Sequence, residues 1–187
     1  MVDRWGLVVS ATPSGGWLQS SPTIPELGFC LGTRLQMTWL EEGLPATLRP
    51  GRRPRTTLSP TIATDSDGTV TGFGTPGGDQ QEQWQLLFWL RHAVAGLDLQ
   101  AAIDAPTFHT TGRISSFDPR TWEPAGVEIE GRVPAAVPPE LARRGHRVTV
   151  AGDWRLGRVS AVSWDPQRRV VRAAADPRGM SGYAVGR

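Results

Sequence analysis

One stretch, Gly72-Phe73-Gly74-Thr75-Pro76-Gly77-Gly78-Asp79-Gln80-Gln81, constrains the rest of the chain most tightly. A run rich in strand formers, Thr69 to Phe73, enters it, and a long apolar segment, Trp84 to Val94, leaves it. Between them a proline and two adjacent glycines make a turn closed to bulky residues, because glycine accepts positive φ and lets another group approach the backbone. Asp79 is expected to cap the helix that follows, its carboxylate accepting from the first free N–H groups. A strand–Gly-Gly–helix junction presents backbone donors and a helix N-terminus at one point, which suits an anion or a developing oxyanion. The same residues also describe a tight strand-to-helix turn with no chemistry, so the neighbourhood has to decide.

At 187 residues the chain is one domain's worth of polypeptide, long enough for a real core. All 20 basic residues are arginine, which removes Schiff-base and lysine-nucleophile chemistry. The formal net charge is only +2, so a pI near 9.4 reflects late-titrating arginine rather than a basic surface. Arg49, Arg52, Arg53 and Arg55 crowd one loop, yet no other region extends them into a basic stripe, and no nucleic-acid partner is expected. The single cysteine, Cys30, excludes an internal disulfide and any cysteine-based zinc cluster. His92, His109 and His146 lie far apart without ligand spacing, so neither a metal site nor a cofactor is expected. No apolar run approaches the length of a membrane span, and the first residues do not read as a signal peptide. The expectation is a soluble, cytoplasmic chain.

Taken in order, Leu7 to Ala11 reads as a buried strand after a hairpin-like turn, Asp3-Arg4-Trp5-Gly6, which implies a partner strand upstream or from another chain. Thr12 to Trp17 is a glycine-rich loop and the segment to Leu31 reads as extended coil; Ser14 is a nucleophile, a hydrogen-bonding helper, or a turn serine bonding its own backbone. Arg34 to Leu40 fits a short strand or a helix equally. Thr56 and Thr57 can bind a carboxylate or satisfy loop backbone. Ile62-Ala63, Asp65-Ser66-Asp67-Gly68 and Thr69 to Phe73 carry a hairpin signature. The next helix is apolar on nearly every side from Trp84 to Leu90, which predicts burial on both faces. Gly96 stops it, Asp98 caps a second helix through Ile103, Pro106 ends that one, and His109 follows in a loop. Beyond it, Val127 to Ile129, Val148 to Val150, Arg158 to Trp164 and Val170 to Ala174 read as strands, with a short helix opened by Pro138-Pro139-Glu140 and closed by Gly145. This is an α+β layered pattern.

The order of motifs resembles the small-subunit, C-terminal region of the γ-glutamyltransferases (γ-glutamyltranspeptidases) and their acylase-like relatives. It runs Asp3-x-x-Gly6, Val9-Ser10-Ala11-Thr12, Arg53-Pro54-x-Thr56-Thr57-x-Ser59-Pro60-Thr61, Gly74-Thr75-Pro76-Gly77-Gly78, Ala105-Pro106-x-x-His109, Gly145-His146-x-Val148 and Asp176-Pro177-Arg178, with Gly182-Tyr183 near the end. The resemblance implies the C-terminal half of an N-terminal-nucleophile hydrolase, an αββα sandwich made by self-cleavage of a precursor. It implies a large subunit of the same precursor as partner, and a small amide, γ-glutamyl or analogous, as substrate. A new N-terminal threonine attacks the amide with its own α-amine as base. Gly77 and Gly78 then stand at the oxyanion-hole positions, Thr56 and Thr57 at the paired hydroxyls that bind the substrate α-carboxylate, and Ser14 where a hydroxyl steadies the nucleophile.

Three positions depart from that pattern. The family's nucleophile falls before Met1, so residues 1–187 are expected to form one domain cut just after it and inactive alone. The asparagine that holds the substrate amino group falls on Gly16, and its acidic partner falls near Met37. The parent is expected to move an acyl group from an amide to water or an amine. The rival expectation is a stand-alone, catalytically dead subunit or binding module.

Overall fold

The computed structural model describes every residue of the chain except Trp17, Ser20, Ser181 and Arg187, so the Trp17 end of the glycine-rich loop lies outside the described residues. Its centre is a four-stranded antiparallel sheet of order β3-β4-β8-β9, formed by β3 (Thr61–Thr64), β4 (Val70–Gly74), β8 (Ser160–Asp165) and β9 (Val170–Ala175). The hairpin read from Asp65 to Gly68 is present, with Gly68 N donating to Asp65 O at 3.0 Å and Thr61 opposite Phe73.

Because side chains alternate along a strand, Phe73, Ala161 and Ala174 share one face through direct cross-strand pairing. Helices α1 (Gln81–Trp89) and α2 (Leu99–Asp104) cover that face. Phe73, Phe88, Leu99, Ala102, Ile103, Val159, Ala161 and Ala174 form the buried core there. Phe88, 1% exposed, lies 5.1 Å centroid to centroid from Phe73, and truncating such a side chain typically costs about 3–5 kcal/mol. Asp98 caps α2 as expected, its carboxylate accepting from Ala101 N at 2.8 Å.

The N-terminal hairpin lies on the opposite face. Val8 passes over Gly72, and Ser10 Oγ donates to Phe73 O at 2.8 Å, an approach that a side chain at Gly72 would block. The expected turn at Asp3 is there, with Gly6 N donating to Asp3 O. The expected buried strand from Leu7 to Ala11 is not: it is a single bridge between Val2 and Val8, and Leu7 and Val9 stay exposed. Next to this hairpin, Ile62 and Val171 remain open on the same sheet face.

A second sheet pairs β5 (Phe108–Thr110) antiparallel with β6 (Gly126–Glu130), which runs parallel to β7 (Arg147–Ala151), beside α3 (Val137–Arg143). His109 therefore belongs to a strand, not a loop. A minimal hairpin of β1 (Thr23–Ile24) and β2 (Phe29–Cys30) interrupts the expected coil. Arg34–Met37 forms one 3₁₀ turn, which resolves the strand-or-helix ambiguity.

Two buried ionic groups join these sheets. Glu130, fully buried at the end of β6, accepts from Arg178 Nε (2.6 Å) and Nη2 (2.9 Å), Arg132 Nη2 (2.7 Å) and the backbone N–H groups of Thr107, Arg155 and Leu156. Arg178 also donates to Asp176 and to the carbonyls of Ile103 (2.8 Å) and Ala105 (3.0 Å). Burial alone would raise the Glu130 pKa, but Arg178, the Thr107 and Leu156 N–H groups and Arg132 outweigh it and hold the carboxyl below its ordinary value.

Candidate active site

β4 delivers the chain to the Gly-Gly turn, and the turn's shape is set from below by an indole. Gly77 has φ +139°, and a Cβ added there would sit 2.2 Å from Trp84 Cζ3. Gly78 has φ +58°, with Phe117 Cε2 at 3.3 Å from the equivalent Cβ. Both positions therefore exclude side chains by conformation, and Gly77 by space as well. Thr75 anchors the turn, its Oγ1 accepting from Arg158 N at 3.1 Å. Among the described residues no acceptor takes the N–H of Gly77 or of Gly78. A short 3₁₀ turn, Gly78–Gln80, leads straight into α1. Two free donors at the positive end of a helix can stabilise an oxyanion.

Asp79 does not cap α1. Gln80 occupies the cap position with no side-chain bond, while the Asp79 carboxylate accepts from Ser116 N (2.8 Å) and Ser116 Oγ and faces Arg55 Nη2 at 3.5 Å. Ser116 lies 37 residues away, so a distant loop claims the group that local sequence assigned to the helix.

Nor is α1 buried on both faces. Leu86 is 57% exposed, as is Val94 (77%) in the π-helical segment Leu90–Val94 that continues α1, and the inward face carries Gln81, Gln85 and Phe88. The two buried glutamines clamp the preceding loop. The Gln81 amide nitrogen, oriented by its partners, donates to Thr57 O at 2.9 Å and Thr75 O at 3.2 Å. Gln85 Nε2 donates to Ser59 Oγ at 2.7 Å. Gln81 thus ties Thr57 to the residue that anchors the Gly-Gly turn. Thr56 and Thr57 open with Arg55, Gly78, Asp79, Glu82 and Arg113 on one polar cavity of about 160 Å³.

Within that cavity the charges are matched: Arg113 pairs with Glu82, and Arg55 with Asp79. The wall behind Thr57 is different. Arg34 Nη1 donates to Ser14 Oγ at 2.9 Å, and Nη2 reaches Thr57 Oγ1 and Met37 Sδ, each at 3.4 Å. Its Nε is buried without an acceptor, and among the described residues Arg34 pairs with no carboxylate. The structure therefore joins Ser14 and Thr57 through a residue that the motifs did not single out. The signal available in the sequence was position: Arg34 lies between Gly16 and Met37, the two places where the family resemblance sets the departures from its amine-binding pattern. Gly16 has φ +72°, and a Cβ there would stand 2.9 Å from Cys30 O, so the backbone itself excludes a side chain.

His109 packs below the turn, edge-on to Trp84 at 5.5 Å between centroids and 3.3 Å from Glu128 Oε2. Burial, only partly countered by Glu128, pushes its pKa down. Among the described residues no group of three or more His, Cys, Asp or Glu is placed to hold a metal ion, and no helix is long and apolar enough to cross a membrane.

Comparison with known proteins gives the family and the fold. The chain is 31% identical over 191 residues to an oxamate amidohydrolase proenzyme from Klebsiella pneumoniae subsp. pneumoniae, covering 100% of the chain but 34% of that relative, so it spans about a third of the relative's length. It superposes over its full length on the solved structure of LmbA2991HD with a TM-score of 0.92 and 60% identity, again covering 33% of that chain. On a γ-glutamyltranspeptidase from Pseudomonas nitroreducens the TM-score is 0.76 at 23% identity, and the match takes in 97% of that solved chain. The fold is accordingly that of the C-terminal region of an N-terminal-nucleophile hydrolase. The family model described as gamma-glutamyltranspeptidase matches residues 1–186, and the chain belongs to the γ-glutamyltranspeptidase family.

Proposed function

We propose that the protein carrying this chain is an amidohydrolase or acyltransferase, and that residues 1–187 supply its oxyanion turn and part of its acyl-binding wall. The observation that carries this is the pair of uncommitted N–H groups at Gly77 and Gly78, with Gly78 opening on the same cavity as Thr56 and Thr57. The nucleophile is a threonine in the remainder of the precursor. Thr12 packs over Gly74 and Thr23 sits in β1, and neither has a free α-amine beside its hydroxyl. The threonine hydroxyl attacks the amide carbonyl and its own α-amine takes the proton. The oxyanion settles against Gly77 and Gly78, the amine leaves with a proton, and water or a second amine then attacks the ester. Ser14 steadies the nucleophile, and Thr56 and Thr57 bind the carboxylate of the acyl group. The relative named for oxamate and the family named for γ-glutamyl groups share a carboxylate, and they differ in whether an ammonium accompanies it.

The partner is the large subunit of the same precursor, and the open sheet face around Ile62 and Val171 is where an added layer would remove apolar surface from water. The test compares the processed full-length protein with the isolated chain, using γ-glutamyl-p-nitroanilide, glutaryl-p-nitroanilide and oxamate. Release of p-nitroaniline or ammonia by the full-length protein alone is expected. Turnover by the isolated chain that survives repurification would overturn the assignment of the nucleophile. Failure of the processed protein on all three amides would overturn the function.

A further inference from the structure

We infer that Arg34, with the hydroxyls of Ser14 and Thr57, forms a carboxylate subsite in place of an ammonium subsite, so that the preferred acyl group carries a carboxylate and no α-amino group. This rests on the amidase function proposed above and adds the substrate class. The argument begins with charge. Of the three arginines around Thr57, Arg55 and Arg113 are neutralised by Asp79 and Glu82, whereas Arg34 faces only neutral oxygens and a thioether. Behind Thr57, one positive charge therefore has no countercharge among the described residues. An ammonium brought there meets repulsion and finds no free carboxylate among the described residues, since both acids lining the cavity are already engaged.

Donor counting gives the same sign. A guanidinium offers five N–H groups. Arg34 spends one on Ser14 and directs Nη2 at Thr57 and Met37, which among the described residues leaves the Nε, itself sealed from solvent, and one Nη1 hydrogen without acceptors, so Nη1 is the donor a ligand can meet. Ser14 Oγ and Thr57 Oγ1 already accept from Arg34, and Thr56 Oγ1 accepts from Leu58 N at 3.0 Å, so the three hydroxyl hydrogens are available to donate. The wall is rich in donors and short of acceptors, the reverse of what an ammonium needs. A carboxylate, acceptor on every lone pair, suits the free Nη1 hydrogen and the hydroxyls.

Restoring the missing amine ligands is obstructed on both sides. A side chain at position 16 collides with Cys30 O, and Met37, fully buried, places its sulfur against Arg34, so a carboxylate there would pair with Arg34 before it met any substrate.

The test uses the processed full-length protein and two amides that differ only by an ammonium, glutaryl-p-nitroanilide and γ-glutamyl-p-nitroanilide. Wild type is expected to favour the glutaryl substrate by about tenfold or more in kcat/KM, and Arg34→Gln to bring the two within about threefold, with the loss on the glutaryl substrate appearing mainly in KM. Calorimetry with glutarate and L-glutamate reads the same subsite without turnover. Glutarate should bind wild type about tenfold more tightly than glutamate, a difference that Arg34→Lys keeps in part and Arg34→Gln loses. Wild type preferring γ-glutamyl and glutamate, or Arg34→Gln weakening both ligands equally, overturns the inference. If neither amide is cleaved but glutarate still depends on Arg34, the amidase function fails and the subsite stands. The wild-type comparisons need no variant, so a poorly folding Arg34→Gln protein leaves the inference exposed to refutation.

Discussion

Two arginines divide the molecule into a closed region and an open one. Arg178 is 2% exposed and each of its five N–H groups has an acceptor, with Glu130 in turn receiving from Arg132 and three backbone amides. Arg34 is half-buried, touches two hydroxyls and a sulfur, and hides an Nε with no partner among the described residues. A saturated buried ion cluster holds elements in register and has nothing left to offer a ligand. An unsaturated one, next to Thr57 of the polar cavity, has donors that no acceptor takes among the described residues. The difference between the two regions lies in their hydrogen-bond accounts more than in residue type.

The largest effect tests the closed region. Arg178→Leu leaves Glu130 and Asp176 buried with less compensation and should cost about 3–5 kcal/mol, enough to abolish a cooperative thermal transition in a marginal domain. A transition within a few degrees of wild type would show that the cluster is not what holds the sheets together. The next tests the open region through catalysis. In the full-length protein Gly78→Ala should lower kcat by a hundredfold or more, about 3 kcal/mol, while leaving the circular dichroism spectrum intact. A folded Gly78→Ala enzyme with kcat within a few-fold of wild type would mean that the turn is only a turn.

Thr57→Ala should be milder and of different kind. In the proposed function it removes a hydroxyl that binds the same carboxylate in ground and transition states, so steady-state kinetics should show KM raised by the equivalent of about 1 kcal/mol with kcat nearly unchanged. The smallest effect sharpens the boundary between the regions. Burial holds the His109 pKa below the ordinary 6.5, so the folded protein keeps the ring neutral where the unfolded chain takes up a proton. Its contribution to stability is therefore complete above about pH 6.5 and is lost as pH falls toward the folded pKa. Urea midpoints across that window should decline for wild type and flatten for His109→Gln. Parallel slopes would remove His109 from the account.

Local sequence made the local structure legible. Asp65 to Gly68 announced the β3–β4 hairpin, Asp98 announced the start of α2, and the two glycines at 77 and 78 announced a turn that side chains cannot make. Partnerships across long separations were not legible. Ser116 takes the Asp79 carboxylate from 37 residues away, and Arg178 meets Glu130 across 48. The even apolarity of α1 concealed that Gln81 and Gln85 are its inward residues, because their amides find partners only after the Thr57–Ser59 loop folds onto them. Arg34 escaped notice for a similar reason: a lone arginine in an ambiguous segment acquires meaning only when Ser14 and Thr57 are seen on either side of it.

The close approach of Cys30 O to Gly16 also bears on which substitutions this part of the chain can accept. Asparagine tolerates the left-handed backbone of position 16 better than most residues, yet its Cβ would still lie 2.9 Å from that carbonyl. An acid at 37 would be captured by Arg34, and replacing Arg34 alone would leave Ser14 and Thr57 without their bridging donor. Each of these single changes meets a neighbour already in place, so Gly16, Arg34 and Met37 form one interlocked unit in which a substitution is accommodated only together with its neighbours.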